Sequence, residues 1–225
     1  MAEARKQSQI TEIAQIAWEP VTPLVRAKVV WSDPATKRRA QLTRFDPGAC
    51  LPMHRHIGDE LLYVLEGEVT DESGTAYAGS VGYRPEGCIH TVTSKNGATV
   101  FALITGGIEP AKESSDAPLS QTFVLSDIPW TEGPTSGVRQ KIFWSDPATK
   151  RRAVMARFEP GTKVSRHKHI GDELVFMIEG SFSDESGELR TGNASYLPDG
   201  YIHTVTSKNG HIAIALVSGE VEAMP

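Results

Sequence analysis

The sequence predicts an all-β protein made of two tandem copies of one domain. Three observations carry this: a long repeat at a fixed offset, short apolar runs rich in valine, isoleucine and aromatics, and glycine and proline turns between those runs. The repeat is explicit. WSDPATKRRA occupies residues 31–40 and again 144–153, DESG starts at Asp71 and Asp184, and IHTVTSKNG starts at Ile89 and Ile202, all 113 positions apart (184 − 71). Upstream the offset is 112, since Ser8 matches Ser120 and Trp18 matches Trp130, and the register returns at Val25 and Val138. Each copy therefore spans about a hundred residues, the size of a domain and too long for a solenoid unit. The expected organisation is a tail over 1–7, a first domain over 8–105, a polar, proline-bearing linker over 106–119, a second domain over 120–219 and a tail over 220–225.

Within each copy, LLYVLEG, ATVFALI, LVFMIEG and HIAIALV have strand composition. DPG, DESG, RPEG, SKNG and LPDG supply turn chemistry, because glycine and asparagine tolerate positive φ and proline presets the negative φ of a turn's first central residue. Turns at regular spacing predict antiparallel β closed as a barrel or sandwich. Helix is weakly signalled, and its best candidate is the first fifteen or so residues.

Composition narrows the function. A 39% hydrophobic and 23% charged chain is that of an ordinary soluble protein, and a net charge of -5 argues against a phosphate-tracking surface. The TKRR clusters at Thr36 and Thr149 read as solvated turns, so a nucleic-acid partner is not expected. The N-terminus lacks the apolar core of a signal peptide and no stretch reaches the length of a membrane span, so a cytoplasmic protein with no membrane partner is expected. Cys50 and Cys88 are too few for a disulfide framework and form no CxxC element, so both are expected as free thiols. The expected partner is a small-molecule ligand or substrate, or another protein.

The chemistry concentrates in HRHIGDE at 54–60 and HKHIGDE at 167–173. Histidines two apart on a strand point to the same face. Ile57, Gly58 and Asp59 form a tight turn that returns Glu60 toward that face. Thirty residues on (90 − 60), His90 follows the turn at Pro85 and Gly87, and the second copy repeats the set as His167, His169, Glu173 and His203. Six of the seven histidines fall into these two sets, which weighs against scattered surface or core histidines. Imidazoles plus one carboxylate suit zinc, iron, manganese, nickel or copper better than calcium or magnesium. Three histidines and one acid leave open positions on a six-coordinate ion, or close a tetrahedral zinc. His211 aligns with Ala98 and is expected at the surface or behind the ligands.

The two pockets are not expected to be chemically equivalent. If residues of the ligands' parity line them, Cys50 and Cys88 face the first metal, where the second copy has Lys163 and Tyr201. Arg84 becomes Leu197, Tyr63 becomes Phe176, and Tyr83 and Tyr196 match. A thiol beside an open metal is a candidate for oxidation or ligation, against the plainer reading of two small buried hydrophobes. Arg44 and Arg157 are candidates for holding a substrate carboxylate, against the reading as surface pairs.

HxH, three residues, Glu, then PxGxxH is similar to the two metal motifs of the cupin superfamily, small β-barrels of jelly-roll type, so the chain resembles a bicupin. The finer pattern of PGA at Pro47, HRHIGDE, VLEGEVTDESG from Val64 and RPEGCIHT from Arg84 resembles the cupin domain of ChrR-type anti-sigma factors over nearly the whole chain. That resemblance implies zinc on His54, His56, Glu60 and His90, and on His167, His169, Glu173 and His203, in a domain that transduces an oxidative or ligand signal. The sigma-binding module of that family carries paired cysteines, and with no CxxC here the resemblance does not extend to it. Similar single-domain cupins include iron(II) dioxygenases that cleave diketones and hydroxyketones. The expected function is thus a regulatory or sensing metal-binding bicupin. The alternatives are an iron(II)- or manganese-dependent dioxygenase and a barrel merely braced by its metals. By analogy with cupins that pair through their barrels, a monomer or homodimer is expected.

Overall fold

The structure, a computed structural model, describes residues 7–112 and 114–224. The described residues form antiparallel strands, and their only helical segments are short 3-10 turns, Ile13–Gln15 and Leu125–Asp127. The expected N-terminal helix is therefore not formed over the described part of that stretch, and its first six residues lie outside the description. Gln9–Thr11 is a strand, because pairing with Ala194–Leu197 satisfies its backbone where an isolated short helix would be marginal.

Two compact units result. One is Ile16–Asp127, and the other joins Met1–Gln15 to Ile128–Pro225. These bounds differ from those the repeat suggests, and strand pairing explains the difference. Gln121–Val124 pairs with Ser80–Arg84, and Gln9–Thr11 with Ala194–Leu197, so the opening strand of each repeat completes the unit built from the other. The expected linker starts with a strand, Gly107–Pro110, on Ala49–Ile57, and the expected C-terminal tail contains another, Glu220–Ala223, on Thr162–Ile170. Such short edge strands show no period-two pattern by which sequence could announce them.

In the first unit the hydrogen-bonded order runs Gly107–Pro110, Ala49–Ile57, Ile89–Ser94, Glu60–Asp71, Ala98–Ile104, Arg38–Phe45, Val25–Asp33 and Glu19–Thr22. The twelve-residue strand Glu60–Asp71 serves two sheets: its first half pairs with Ser80–Arg84 and Ala98–Ile104, its second with Gly74–Tyr77. A bulge before Gly67 turns the corner. Gly67 has φ of 72°, and a Cβ there would stand 1.9 Å from the Gly97 carbonyl oxygen, so the corner needs glycine. Gly180 repeats this in the second unit, 2.3 Å from the Gly210 oxygen.

Inside each curled pair of sheets lies an apolar core. In the first unit it includes Val25, Phe45, Leu62, Val64, Val100 and Ile104. In the second it includes Val154, Val175, Met177, Phe182, Leu197 and Val205. Burying each such side chain stabilises by roughly 1.5–3 kcal/mol. The sheets are thereby fixed as a frame, and the histidines project from it into the same interior.

Candidate metal centres

His54 and His56 lie on Ala49–Ile57, whose pairing with Ile89–Ser94 changes register between Leu51 and His54. One extra residue in this bulge sets His54 directly opposite His90. The second unit repeats it, with Val164 opposite Val205 and His167 opposite His203. The bulge also inverts the parity of the strand. Cys50 and Lys163, expected toward the metals by counting in twos, are therefore on the outer face and exposed. Gly58, with φ of 112°, makes the expected turn that brings Glu60 back.

The imidazoles converge as two triads, His54, His56 and His90, and His167, His169 and His203, with candidate ligand atoms within 4.8 Å of one another in each. His56 Nε2 and His90 Nε2 are 2.9 Å apart, as are His169 Nε2 and His203 Nε2. Two nitrogens each about 2.1 Å from one ion, at right angles, would be about 3 Å apart, so the triads fit a first-row metal. Glu60 Oε2 is 3.7 Å from His56 Nε2, and Glu173 Oε2 is 3.6 Å from His169 Nδ1, beside each triad.

The ring tautomers are set from behind. His54 Nδ1 is 2.9 Å from the Pro52 carbonyl and His167 Nδ1 is 2.9 Å from that of Ser165, so each donates outward and leaves Nε2 for the ion. His90 Nδ1 is 3.4 Å from Asp71 Oδ2, and His203 Nδ1 is 3.1 Å from Asp184 Oδ2. A carboxylate behind a ligand histidine orients the ring and raises its basicity. In the sequence Asp71 and Asp184 read only as turn residues of the repeated DESG; the signal that marks them is an acid at equal distance before each later histidine. The neighbouring acids work too: both oxygens of Glu72 accept from the Thr91 N–H, and those of Glu185 from the Thr204 N–H.

Burial pushes His56 down to about 4 and His169 down to about 3. Both are neutral near pH 7, with a lone pair available to a metal. Burial opposes ionisation of Glu60, but His56, Arg84 and the other imidazoles bring it below the usual range. For Glu173 burial prevails over His203 and Arg152, and the carboxyl is raised.

Around the shared triads, two positions differ together. In the first unit Arg84, 2% exposed, reaches Asp71 Oδ2 through Nη2 at 3.1 Å, with Nε 3.7 Å from Glu60 Oε2. Ser120 Oγ also donates to Asp71, at 2.7 Å. In the second, Tyr201, 2% exposed, donates its hydroxyl to Asp184 Oδ2 at 3.0 Å and lies 2.8 Å from Ser186 Oγ, while Leu197 replaces the arginine. Cys88, at the position of Tyr201, is buried, and desolvation pushes its thiol up to about 11 against the pull of Arg84. A protonated, enclosed thiol behaves as the small buried hydrophobe of the plainer reading.

Of the other pocket candidates, none joins a site. Glu60 pairs with Arg84 and Leu62 with Gly82 on the inner face, so Tyr63 and Tyr83, paired with Val81 and Leu61, belong to the opposite face. The same alternation excludes Phe176 and Tyr196, whose partners across the ladder are Ala194 and Leu174. Arg44 and Arg157 are exposed, 3.9 Å from Asp46 and 4.0 Å from Glu159, which is the surface-pair reading. His211 is buried, not at the surface: its ring stacks on Phe158 at 4.1 Å and its Nδ1 meets Ser207 Oγ at 2.8 Å.

A cavity of about 190 Å³ adjoins the second triad. His167, His169, Glu173 and His203 share its wall with apolar side chains including Val154, Val175, Leu197 and Val205, and with His211.

The comparisons agree with this architecture. Both halves, residues 6–107 and 120–222, match the model of the ChrR cupin-like domain. No curated protein matches the sequence significantly. A crystal structure of a candidate dioxygenase from Nostoc punctiforme superposes with a TM-score of 0.82 at 12% identity, covering 97% of this chain and 87% of that one. Oxalate decarboxylase of Bacillus subtilis, in a point-mutant form, superposes with a TM-score of 0.70 at 14% identity, covering 100% and 81%. A study of the Mn(II) centres of that decarboxylase gives a TM-score of 0.69 at 14% identity, with the same coverage. At such identities the likeness is one of fold. With two matched domains, two triads and an internal duplication, the chain is a bicupin and belongs to the ChrR cupin-like family.

Proposed function

We propose that this bicupin is a metal-dependent oxygenase acting on a small, largely apolar diketone or hydroxyketone in its second unit, with one divalent ion per unit held by three histidines and by Glu60 or Glu173. The observation that carries this reading is the apolar cavity adjoining the second triad. Concave, apolar sites with a few convergent polar groups are where small ligands bind. The bound metal supplies Lewis acidity and vacant positions for oxygen ligands. The chain supplies the rest. Val154, Val175, Leu197 and Val205 enclose the substrate's carbon body and exclude water. Asp184 keeps His203 aimed inward, and Tyr201 and Ser186 hold Asp184 and its surroundings in place. That the candidate dioxygenase and the decarboxylase share the fold supports an enzymatic reading without identifying a substrate.

The test is metal analysis of protein purified without added metal, then oxygen uptake on a panel of diketones and hydroxyketones. Stoichiometric iron or manganese with substrate-dependent uptake is expected, and Val175→Phe, which fills the cavity, should abolish uptake while metal stays bound. The family match supports a second, regulatory reading. Two zinc ions per chain, no uptake, and a change in partner binding with metal or oxidant would establish that one instead.

A further inference from the structure

The cavity beside the second triad is elongated, and it ends on a histidine. Its wall follows alternate residues of His211–Val217, namely His211, Ala213, Ala215 and Val217. Val217 pairs with Glu173 at the metal end. At the other end His211 Nδ1 meets Ser207 Oγ at 2.8 Å, and Ser207 lies four residues beyond His203 on Ile202–Ser207, a span of roughly 13 Å at the usual rise per strand residue. The duplication shows where the space comes from. In the first unit the matching residues are Ala98, Val100, Ala102 and Ile104, with Leu62 at the position of Val175, and all five belong to the packed core. Alanine for Val100, and valine for Ile104 and Leu62, clear a lane in the second unit, and a histidine in place of Ala98 closes it.

That histidine is set as a hydrogen-bond acceptor. Ser207 is fully buried, and its one hydroxyl proton goes to the Ser181 carbonyl at 3.3 Å. The matching hydroxyl of Ser94 makes the same bond, to the Glu68 carbonyl at 2.7 Å, in the unit that has Ala98. Ser207 Oγ therefore accepts from the Nδ1–H of His211, and the lone pair of the neutral ring sits on Nε2. Phe158 stacks on the ring at 4.1 Å and Phe182 tilts against it at 5.5 Å, so its orientation is held. Burial favours its neutral form. Other polar side chains on the wall are placed differently. Arg152 is at the metal end, across from Val217 and bonded to the Gly219 carbonyl, while Thr135 and Gln140 are half-buried where His211 is 5% exposed. A fixed acceptor at the end of an apolar slot selects a ligand that carries a donor there.

We infer that His211 determines the specificity of the second cavity: its Nε2 accepts a hydrogen bond from a hydroxyl at the end of the ligand remote from the metal. The ligand is then an elongated diketone or hydroxyketone with a terminal alcohol or phenol. This rests on the proposed function for the keto oxygens at the metal and adds the opposite end.

Titration calorimetry of the zinc-loaded full-length chain, where the ion carries no redox chemistry, compares benzoylacetone with its para-hydroxyphenyl analogue. The phenol is expected to bind about tenfold tighter, since the other ligand leaves a buried acceptor unmatched. In His211→Phe, which keeps a ring on Phe158 without the acceptor, the preference should fall to within about twofold while two zinc ions stay bound. Should that variant fail to fold, His211→Asn keeps a polar contact to Ser207 and lacks Nε2, and the preference should be lost in it as well. Equal affinity of the wild type for the two ligands, or a preference that survives in either folded variant, overturns the inference and leaves the oxygenase reading standing. Failure of both ligands to bind the wild type overturns the inference together with that reading.

Discussion

The two units present one triad in two electrostatic settings. Ring separations of 2.9 Å between the paired Nε2 atoms are the same in both, and each later histidine is backed by an aspartate. What differs is the donor that the aspartate receives: the guanidinium of Arg84 in one unit, the hydroxyl of Tyr201 in the other. The exchange is physically one event. A carboxylate buried behind the ligand needs a donor, Arg84 can serve only where Gly82 leaves room, and Tyr201 serves from the position where the first unit has Cys88. Duplication has thus kept the ligand geometry while changing the charge of the pocket. Burial opposes ionisation of both ligand-side glutamates; His56 first and Arg84 second bring Glu60 below the usual carboxylate range, whereas burial keeps Glu173 above it.

The strongest way to break the comparison is to remove one ligand from each unit. His90→Ala and His203→Ala should each lower bound metal from two ions per chain to one. Only His203→Ala should abolish oxygen uptake, by about a hundredfold or more, since the proposed substrate cavity adjoins that triad. Equal loss of uptake in both variants would mean that the units do not divide their labour.

Replacing the backing aspartates sharpens the contrast. Asp71→Asn and Asp184→Asn should each weaken metal binding about 10–100-fold, the usual effect of losing the carboxylate behind a ligand. Their stabilities should part. Asp71→Asn strips the buried Arg84 of its hydrogen-bonded anion and should cost about 3–5 kcal/mol. Asp184→Asn loses hydrogen bonds to neutral groups and should cost about 1–2 kcal/mol. Urea midpoints of the two proteins would show the difference.

The two histidine triads are legible in the sequence because period two, a glycine turn and a later turn carry them, and the same spacing recurs in each copy. Three things are not. A bulge of one residue between Leu51 and His54 leaves no mark in composition, yet it decides that Cys50 and Lys163 face outward. The crossing of Gln9–Thr11 and Gln121–Val124 between repeats depends on pairing over more than a hundred residues in one case, which local pattern does not encode. The importance of Asp71 is masked by its place in a turn motif whose glycine alone would account for it. Gly82, too, could be understood only with Arg84 in view.

That pairing gives a smaller effect. Gly82→Ser alone puts a Cβ 2.2 Å from the position of Arg84 Nη1 and should destabilise the first unit by about 1–3 kcal/mol, the cost of overpacking. Adding Arg84→Leu should recover most of that loss, a coupling that a double-mutant cycle measures. Additive costs would show that the two positions vary independently, and the account of them as one event would fail.

The smallest effect separates the units at His211, which faces no counterpart because the first unit has Ala98 there. Burial pushes His211 down to about 4 from an ordinary value of 6.5, so the folded protein holds it neutral where the unfolded chain takes up a proton. Its stabilising contribution is fully present above about pH 6.5 and is lost as pH falls toward 4, with a slope of at most about 1.4 kcal/mol per pH unit. The metal-ligating histidines impose their own dependence in the same range, so the measurement is a difference: His211→Gln against wild type, unfolding free energy against pH. The variant's curve should be shallower by one proton between pH 6.5 and 4. Parallel curves would place the ring in contact with water in the folded state, and the enclosed far wall of the second cavity would have to be given up with it.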